Sequence, residues 1–290
     1  MWSIGIYTGD SPFQLRSPAG KINPVITAAD VTDVRAEFVA DPFMLRHNDR
    51  WYMFFEVMDQ KTQLGAIGLA SSNDGFTWTY EQVALKEQFH LSYPYVFEWQ
   101  GNYYMIPETL GASVLCLYKA DDFPSRWSLQ QRLIDGAHAD PSVIRFNDLW
   151  WMFSCTRPYG HDILRLYFAR NLEGPWKEHP RSPVITNDKS RARPAGRILQ
   201  VNGHVIRFAQ DCVPDYGRRV RAFEINELTR HTYVETELPN SPVLSPSGEG
   251  WNAMGMHHID AHPDNNGDHG WIACVDGRGS LPMGDCQSPI

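Results

Sequence analysis

Cysteine is sparse and scattered in this chain. Its five residues, Cys116, Cys155, Cys212, Cys274 and Cys286, are odd in number and include no C-x-x-C pair. That spacing argues against a zinc site or a disulfide framework and reads as reduced, mostly buried thiols. No apolar run approaches the roughly 18 residues that span a bilayer. Met1-Trp2-Ser3-Ile4-Gly5 places no basic stretch ahead of an apolar core. A secretory signal is therefore not expected, and a cytoplasmic protein is. There is no long basic run and the formal charge is −8, which argues against nucleic acid and anionic membranes as partners. Also missing are a P-loop, a dinucleotide fingerprint, a G-x-S-x-G elbow and an H-E-x-x-H pair, so those catalytic classes have no support.

What the chain does have is aromatic residues at 12%, including ten Trp and twelve Tyr, and twenty prolines that disfavour long helices. It also repeats itself. Three segments align without gaps: Ala40-Asp41-Pro42-Phe43 to Trp51-Tyr52-Met53-Phe54, Ser92-Tyr93-Pro94-Tyr95 to Tyr103-Tyr104-Met105-Ile106, and Ala139-Asp140-Pro141-Ser142 to Trp150-Trp151-Met152-Phe153. A fourth copy, Arg193-Pro194 to His204-Val205-Ile206, needs one extra residue. A fifth is looser, at His257-His258-Ile259-Asp260 and Trp271-Ile272-Ala273-Cys274. Turn-rich stretches ending in Trp78, Trp127 and Trp176 recur 49 residues apart, in phase with the first marker. The tripeptides Pro24-Val25-Ile26, Pro183-Val184-Ile185 and Pro242-Val243-Leu244 read as outer strands.

About four short strands per repeat, five times over, is the pattern of a β-propeller, whose blades bury their faces only by stacking in a ring. The expected fold is all-β: one five-bladed β-propeller with four-stranded blades near 25–80, 81–130, 131–185, 186–240 and 241–280. Strand 2–8 would close the ring, and 281–290 would form a loosely ordered tail. A two-sheet sandwich is the rival, but sandwiches lack such in-phase repeats. Hairpin turns are expected at Asn48-Asp49-Arg50, Gln100-Gly101-Asn102, Asn147-Asp148-Leu149 and Asn202-Gly203.

The first strand of each blade lines a propeller's axis. The residue before each repeated Pro therefore returns to the centre: Asp41, Tyr93, Asp140 and Arg193, with His257, His258 or Asp260 in the fifth blade. Singly, each would more often cap a strand or bind channel water. Together, polar groups converging in a narrow channel must be paired or used. A second layer falls at Glu56 and Glu108, each five residues after the first aromatic of its pair, with Cys155 and then Ala209-Gln210-Asp211 in the next two blades. Strand parity leaves open whether these face the channel. On an inner strand His258, Asp260 and His262 share a face, a weak metal-ligating pattern.

Asp-Pro in one blade, Asp-Pro two blades on and a His in the last resembles glycoside hydrolase family 43. That resemblance implies Asp41 as general base, Asp140 as the residue tuning the acid's pKa, and His257 or His258 as an axial His holding water or an ion. Arg193 stands where that family has its acidic Glu, and Arg cannot donate a proton at neutral pH. Either Glu108 or Glu56 takes the acid's role, or glycosides are not hydrolysed that way. Arg193 also implies an anionic ligand group held in a fork.

A second resemblance covers about residues 35–280. Arg193-Pro194-Ala195-Gly196, Arg207-Phe208-Ala209-Gln210-Asp211-Cys212, Tyr216-Gly217, Met105-Ile106-Pro107-Glu108-Thr109 and Met256-His257-His258-Ile259-Asp260 are similar to the N-terminal propeller of glucosamine inositolphosphorylceramide transferases. Similar domains accompany some bacterial sugar formyltransferases. Two functions follow as expectations. One is a glycoside hydrolase-like enzyme for an acidic or phosphorylated sugar, with Asp41, Asp140 and Glu108 catalytic and Glu56, Tyr93, Arg193, Gln210, Asp211, His257 and His258 binding substrate. The other is a non-catalytic glycan-binding propeller that presents substrate to a glycosyltransferase or formyltransferase partner. Neither requires a cofactor, and an axial ion is the one optional addition.

Overall fold

The computed structural model describes residues 1–264 and 270–280. The tail expected at 281–290, with Cys286, lies outside the described residues. Five antiparallel sheets follow one another along the chain and stand in a ring, the five-bladed propeller expected. The N-terminal strand β1 is Trp2–Gly9. The first blade comprises β2 (Ala36–His47), β3 (Arg50–Asp59), β4 (Leu64–Ser72) and β5 (Thr79–Leu85). The second comprises β6 (Ser92–Trp99), β7 (Asn102–Glu108), β8 (Val114–Asp122) and β9 (Arg126–Asp135). In the third, β10 (Ala139–Phe146), β11 (Leu149–Cys155) and β12 (Ile163–Ala169) are edged by two short strands, β13 (Lys177–Glu178) and β14 (Ile185–Thr186). The fourth splits its inner strand into β15 (Arg193–Pro194) and β16 (Leu199–Val201), followed by β17 (His204–Asp211), β18 (Arg219–Leu228) and β19 (Tyr233–Glu237). The last blade orders β20 (Ile259–Pro263), β21 (Trp271–Arg278) and then β1, so the two ends of the described chain close the ring.

The repeats have local causes. All four predicted hairpins are two-residue turns with positive φ at both positions, as at Asn48 (48°) and Asp49 (60°), the twist that suits flanking strands. Each Trp marker donates its indole N–H to its own turn: Trp78 to the Gly75 carbonyl, Trp127 to Pro124 and Trp176 to Leu172, at 2.9–3.0 Å. The repeated Met53, Met105 and Met152 are wholly buried, filling space between neighbouring blades as an unbranched side chain can. The extra residue of the fourth copy falls where β15 and β16 separate. There Gly196 adopts φ +131°, and a Cβ on it would sit 1.8 Å from the Ile259 carbonyl oxygen. Only glycine lets the fourth blade meet the fifth this closely.

Two boundaries differ from the sequence reading. Pro24-Val25-Ile26, placed there in the first blade, instead edges the closing blade: Ile26 bridges Ile4 of β1. Together with a second bridge, Thr8 to Arg16, this bridge takes the place of a fourth strand in the closing blade. The first blade's outer strand runs on to Leu85 rather than stopping near 80. Among the described residues no helix is long and apolar enough to cross a membrane.

Candidate functional site

The X-Pro marker is a β-bulge. Ladder pairing slips between Ala40 and Phe43, between Ser92 and Tyr95, and between Ala139 and Ser142. Within each slip one residue takes a left-handed conformation: Asp41 at φ 53°, Tyr93 at 47° and Asp140 at 50°. Left-handed backbone is unfavourable for a non-glycine residue, and for Tyr especially, so three recurrences mark positions held by their surroundings. Opposite the bulges, Ala40 pairs with Glu56, Ser92 with Glu108 and Ala139 with Cys155. Glu56 and Glu108 are both buried, as are Asp41 and Asp140.

One group of these forms a tight charged cluster. Arg193 donates from Nε to Asp140 Oδ2 at 2.5 Å and from a terminal nitrogen to Oδ1 at 3.2 Å. It also lies 3.5 Å from Glu108 Oε2 and donates to the Pro158 carbonyl at 3.0 Å. Gln210 adds a third hydrogen bond to Asp140, at 2.7 Å. The fork expected to grip an anionic ligand group is thus closed on Asp140. Glu108 Oε2 accepts the Asp140 backbone N–H at 3.1 Å. Burial, then the charge of Asp140, pushes the Glu108 carboxyl up to about 8 against the pull of Arg193. A carboxylic acid still protonated at neutral pH results.

The second group gathers around Asp41. His257 brings Nε2 to 3.9 Å and His258 brings Nδ1 to 3.7 Å from Asp41 Oδ1, which has no hydrogen-bond partner among the described residues. Burial, then the charges of Asp140, Glu56, Asp276 and Glu108, holds Asp41 well above the usual carboxylate range. Asp276 accepts the backbone N–H groups of His257 and His258 at 3.0 Å each, and its Oδ2 lies 2.6 Å from His257 Nδ1 as a charge contact. Burial works to raise Asp276, but His257 and His258 outweigh it and hold it low. Ligand atoms of Asp41, His257 and Asp276 all lie within 4.8 Å of one another, an arrangement that could hold a cation. Sequence reading did not single out Asp276, though it falls five residues after Trp271, as Glu56 follows Trp51 and Glu108 follows Tyr103.

Other expected site residues are engaged elsewhere. Asp260, offered as a metal ligand with His258, pairs with Arg197 at 2.6 Å and accepts the Met44 N–H at 2.7 Å. His262 adds a 3.0 Å contact to Asp260. His258 is wholly buried, and burial lowers it to about 4 against Asp276 and Asp260, so it stays neutral. Tyr93 is wholly buried too, edge-on to Phe43 and His258. A closed circuit holds it: Gly196 N–H donates to the Tyr93 oxygen at 2.5 Å, Tyr93 shares a 2.7 Å bond with Ser142, and Ser142 donates to the Gly196 carbonyl at 3.0 Å. Asp211 alternates away from Gln210 along β17 and meets Arg221 at 2.9 Å, so it does not join the axial group.

Above these groups opens a cavity of about 750 Å³. Of the predicted residues only Glu108 and Arg193 line it; the others form the layer beneath or lie elsewhere. Its walls come from loops between strands: Phe89, His90, Leu110, Tyr159, His161 and Tyr216 among them. Tyr216 lies under the Arg193 guanidinium at 5.0 Å. His90 receives the Gly65 N–H on Nδ1 at 2.9 Å and turns Nε2 toward Glu56 at 3.3 Å, which fixes its tautomer and orients Glu56. Aromatic walls beside the Glu108 carboxyl suit the apolar faces and hydroxyls of a sugar ring.

The family described as glucosamine inositolphosphorylceramide transferase 1, N-terminal, matches residues 1–278. The chain belongs to that family. Its relatives include glucosamine inositolphosphorylceramide transferase 1 of Oryza sativa subsp. japonica, 38% identical over 308 residues, covering 98% of this chain and 41% of the relative. The Arabidopsis thaliana protein of the same name is 35% identical over 297 residues, covering 95% and 39%. The chain thus spans about two-fifths of the length of these relatives. Among solved structures, a putative glycoside hydrolase from Parabacteroides distasonis superposes with a TM-score of 0.69 at 12% identity, covering 94% of this chain and 99% of that one. The family 117 glycoside hydrolase Zg3597 of Zobellia galactanivorans gives 0.55 at 17%, covering 82% and 84%. At those identities the likeness is one of fold.

Proposed function

We infer that the axial cavity of this family member binds a glycan and acts on a glycosidic bond. One observation carries the reading: Glu108 lines the cavity and keeps its proton up to about pH 8. In the proposed reaction Glu108 gives that proton to the glycosidic oxygen as its bond to the anomeric carbon breaks. Water bonds to the carbon and passes a proton to the Asp41 carboxylate, which its raised pKa makes a stronger base in the fraction of molecules where it is ionised. The unpartnered Asp41 Oδ1 supports this role, because a buried acceptor without a donor is a place for water. Asp140, tied to Arg193 and Gln210, keeps Glu108 protonated through its charge. Glu108 thereby stands in for the acid that Arg193 displaces.

The charge balance also revises the substrate expected. With Arg193 closed on Asp140 and Glu108 the one carboxyl in the lining, the cavity offers no free guanidinium fork, which favours a neutral sugar over an acidic one. The relatives' name includes glucosamine. The test is turnover and calorimetric binding with methyl and aryl glycosides of glucosamine, arabinose and xylose, using wild type, Glu108→Gln and Asp41→Asn. Release of sugar by wild type, lost in both variants while binding persists, is the expected result. Binding without turnover by wild type favours the second reading, a module presenting glycans to a partner enzyme, which the longer relatives named as transferases support.

A further inference from the structure

We propose that Tyr159 is a stacking platform for the leaving-group side of the substrate, so that the pocket selects glycosides whose leaving group carries a ring. This rests on the reading of the cavity as a glycoside site. Tyr159 is 94% exposed, the one aromatic among the large hydrophobic residues left in water in the described chain. It also lines the rim of the cavity that Glu108 lines. An aromatic ring in water gains by being covered, and sugar or aryl rings cover it well.

The ring is presented on a fixed turn. The N–H groups of Gly160 and His161 both reach the Arg157 carbonyl, at 2.9 and 2.8 Å. Arg157 pairs with Asp162 at 3.3 Å. From below, Arg193 donates to the Pro158 carbonyl and lies 3.2 Å from His161 Nδ1. One guanidinium therefore ties the turn that carries Tyr159 to the Asp140–Glu108 pair. A platform held this way loses little freedom when a ligand settles on it.

The placement of the two carboxyl groups sets the direction. Asp41 is buried and does not line the cavity, whereas Glu108 does. A sugar attacked from Asp41's side departs from the group that Glu108 protonates, so on this reading the leaving group occupies the cavity that Glu108 shares with Tyr159. A methyl leaving group is too short to cover the Tyr159 ring; a second sugar or a phenyl ring is a planar or chair face of the right kind.

The experiment uses a Glu108→Gln background, in which turnover does not intrude, and titrates the phenyl and methyl glycosides of whichever sugar of the panel above binds tightest. Adding Tyr159→Ala is expected to weaken the phenyl glycoside about five-fold and leave the methyl glycoside unchanged, while Tyr159→Phe keeps the background affinity. Equal loss for both glycosides, or no loss for the phenyl one, overturns the platform. If the background protein binds no member of the panel, the glycoside reading itself falls and the platform falls with it.

Discussion

Replacing Glu108 by Gln should flatten part of the protein's stability against pH. In the folded chain its carboxyl titrates at about 8 instead of 4.5. Between those values the folded state keeps a proton that the unfolded chain has released. Stability therefore falls as pH rises, by about 1.4 kcal/mol per pH unit for this one proton. Over the 3.5 units from 4.5 to about 8 the total reaches about 5 kcal/mol. Gln removes the titration and keeps an oxygen to accept the Asp140 N–H, and its amide can donate to the Asp140 carboxylate. Wild type and Glu108→Gln should thus be most alike near pH 4.5, with the variant gaining steadily above it. The assay is urea unfolding at half-unit steps from pH 5 to 8. Asp41, also held high, first by burial, adds a slope of the same sign; Glu108 comes last among the charges that raise it, after Asp140, Glu56 and Asp276, so most of that slope is common to both proteins. Parallel curves would refute the argument, because they would mean that Glu108 ionises in the folded protein as it does in water.

Tyr93→Phe leaves the Gly196 N–H and Ser142 hydroxyl short of a partner, so unfolding should come about 1–3 kcal/mol earlier. Glycoside affinity measured on the same protein should not move, since Tyr93 is wholly buried and does not line the cavity. Gly196→Ala forces a Cβ against the Ile259 carbonyl and should abolish soluble expression or lower the melting temperature sharply; an unchanged melting curve would show that the fourth and fifth blades separate without penalty. Arg193→Met strips the buried Asp140 of its counter-charge, a loss of about 3–5 kcal/mol by chemical denaturation. It should also move the Glu108 titration, followed by carboxyl carbon NMR, above its wild-type value.

The fold was legible because its signals are local and periodic. A two-residue hairpin, a bulge before it and a Trp that bonds its own turn each need only a few neighbouring residues, and they recur in phase. The closing blade was harder, since its strands come from both ends and its edge, Pro24-Val25-Ile26, carries the same tripeptide as blades edged by their own following segment. Of the site, the bulge residues Asp41 and Asp140 were legible, and Asp276 obeyed the same five-residue offset without being counted. Gln210 and Asp211 are adjacent, so only strand alternation separates the one that meets Asp140 from the one that meets Arg221. Parity also decided that Glu56 and Glu108 turn inward. Of the cavity lining only Glu108 and Arg193 were legible as site residues, and Tyr216 only as part of a family motif: Phe89, His90 and Tyr159 sit in connections whose lengths differ from blade to blade, and no period marks them.

Ring closure has a consequence for how the chemistry comes into being. Trp2 on β1 stacks on His257 at 3.9 Å, and β1 pairs with the β21 strand that carries Asp276. Contacts that span almost the whole chain form late in folding, because their loop entropy must be met first. The carboxyl–imidazole cluster at the axis therefore assembles only when the last seam is zipped. A nascent or partly opened ring would hold Glu108 and Asp140 in adjacent blades while lacking His257 and Asp276 at their posts, so the complete axial cluster and topological completion would arrive in a single event.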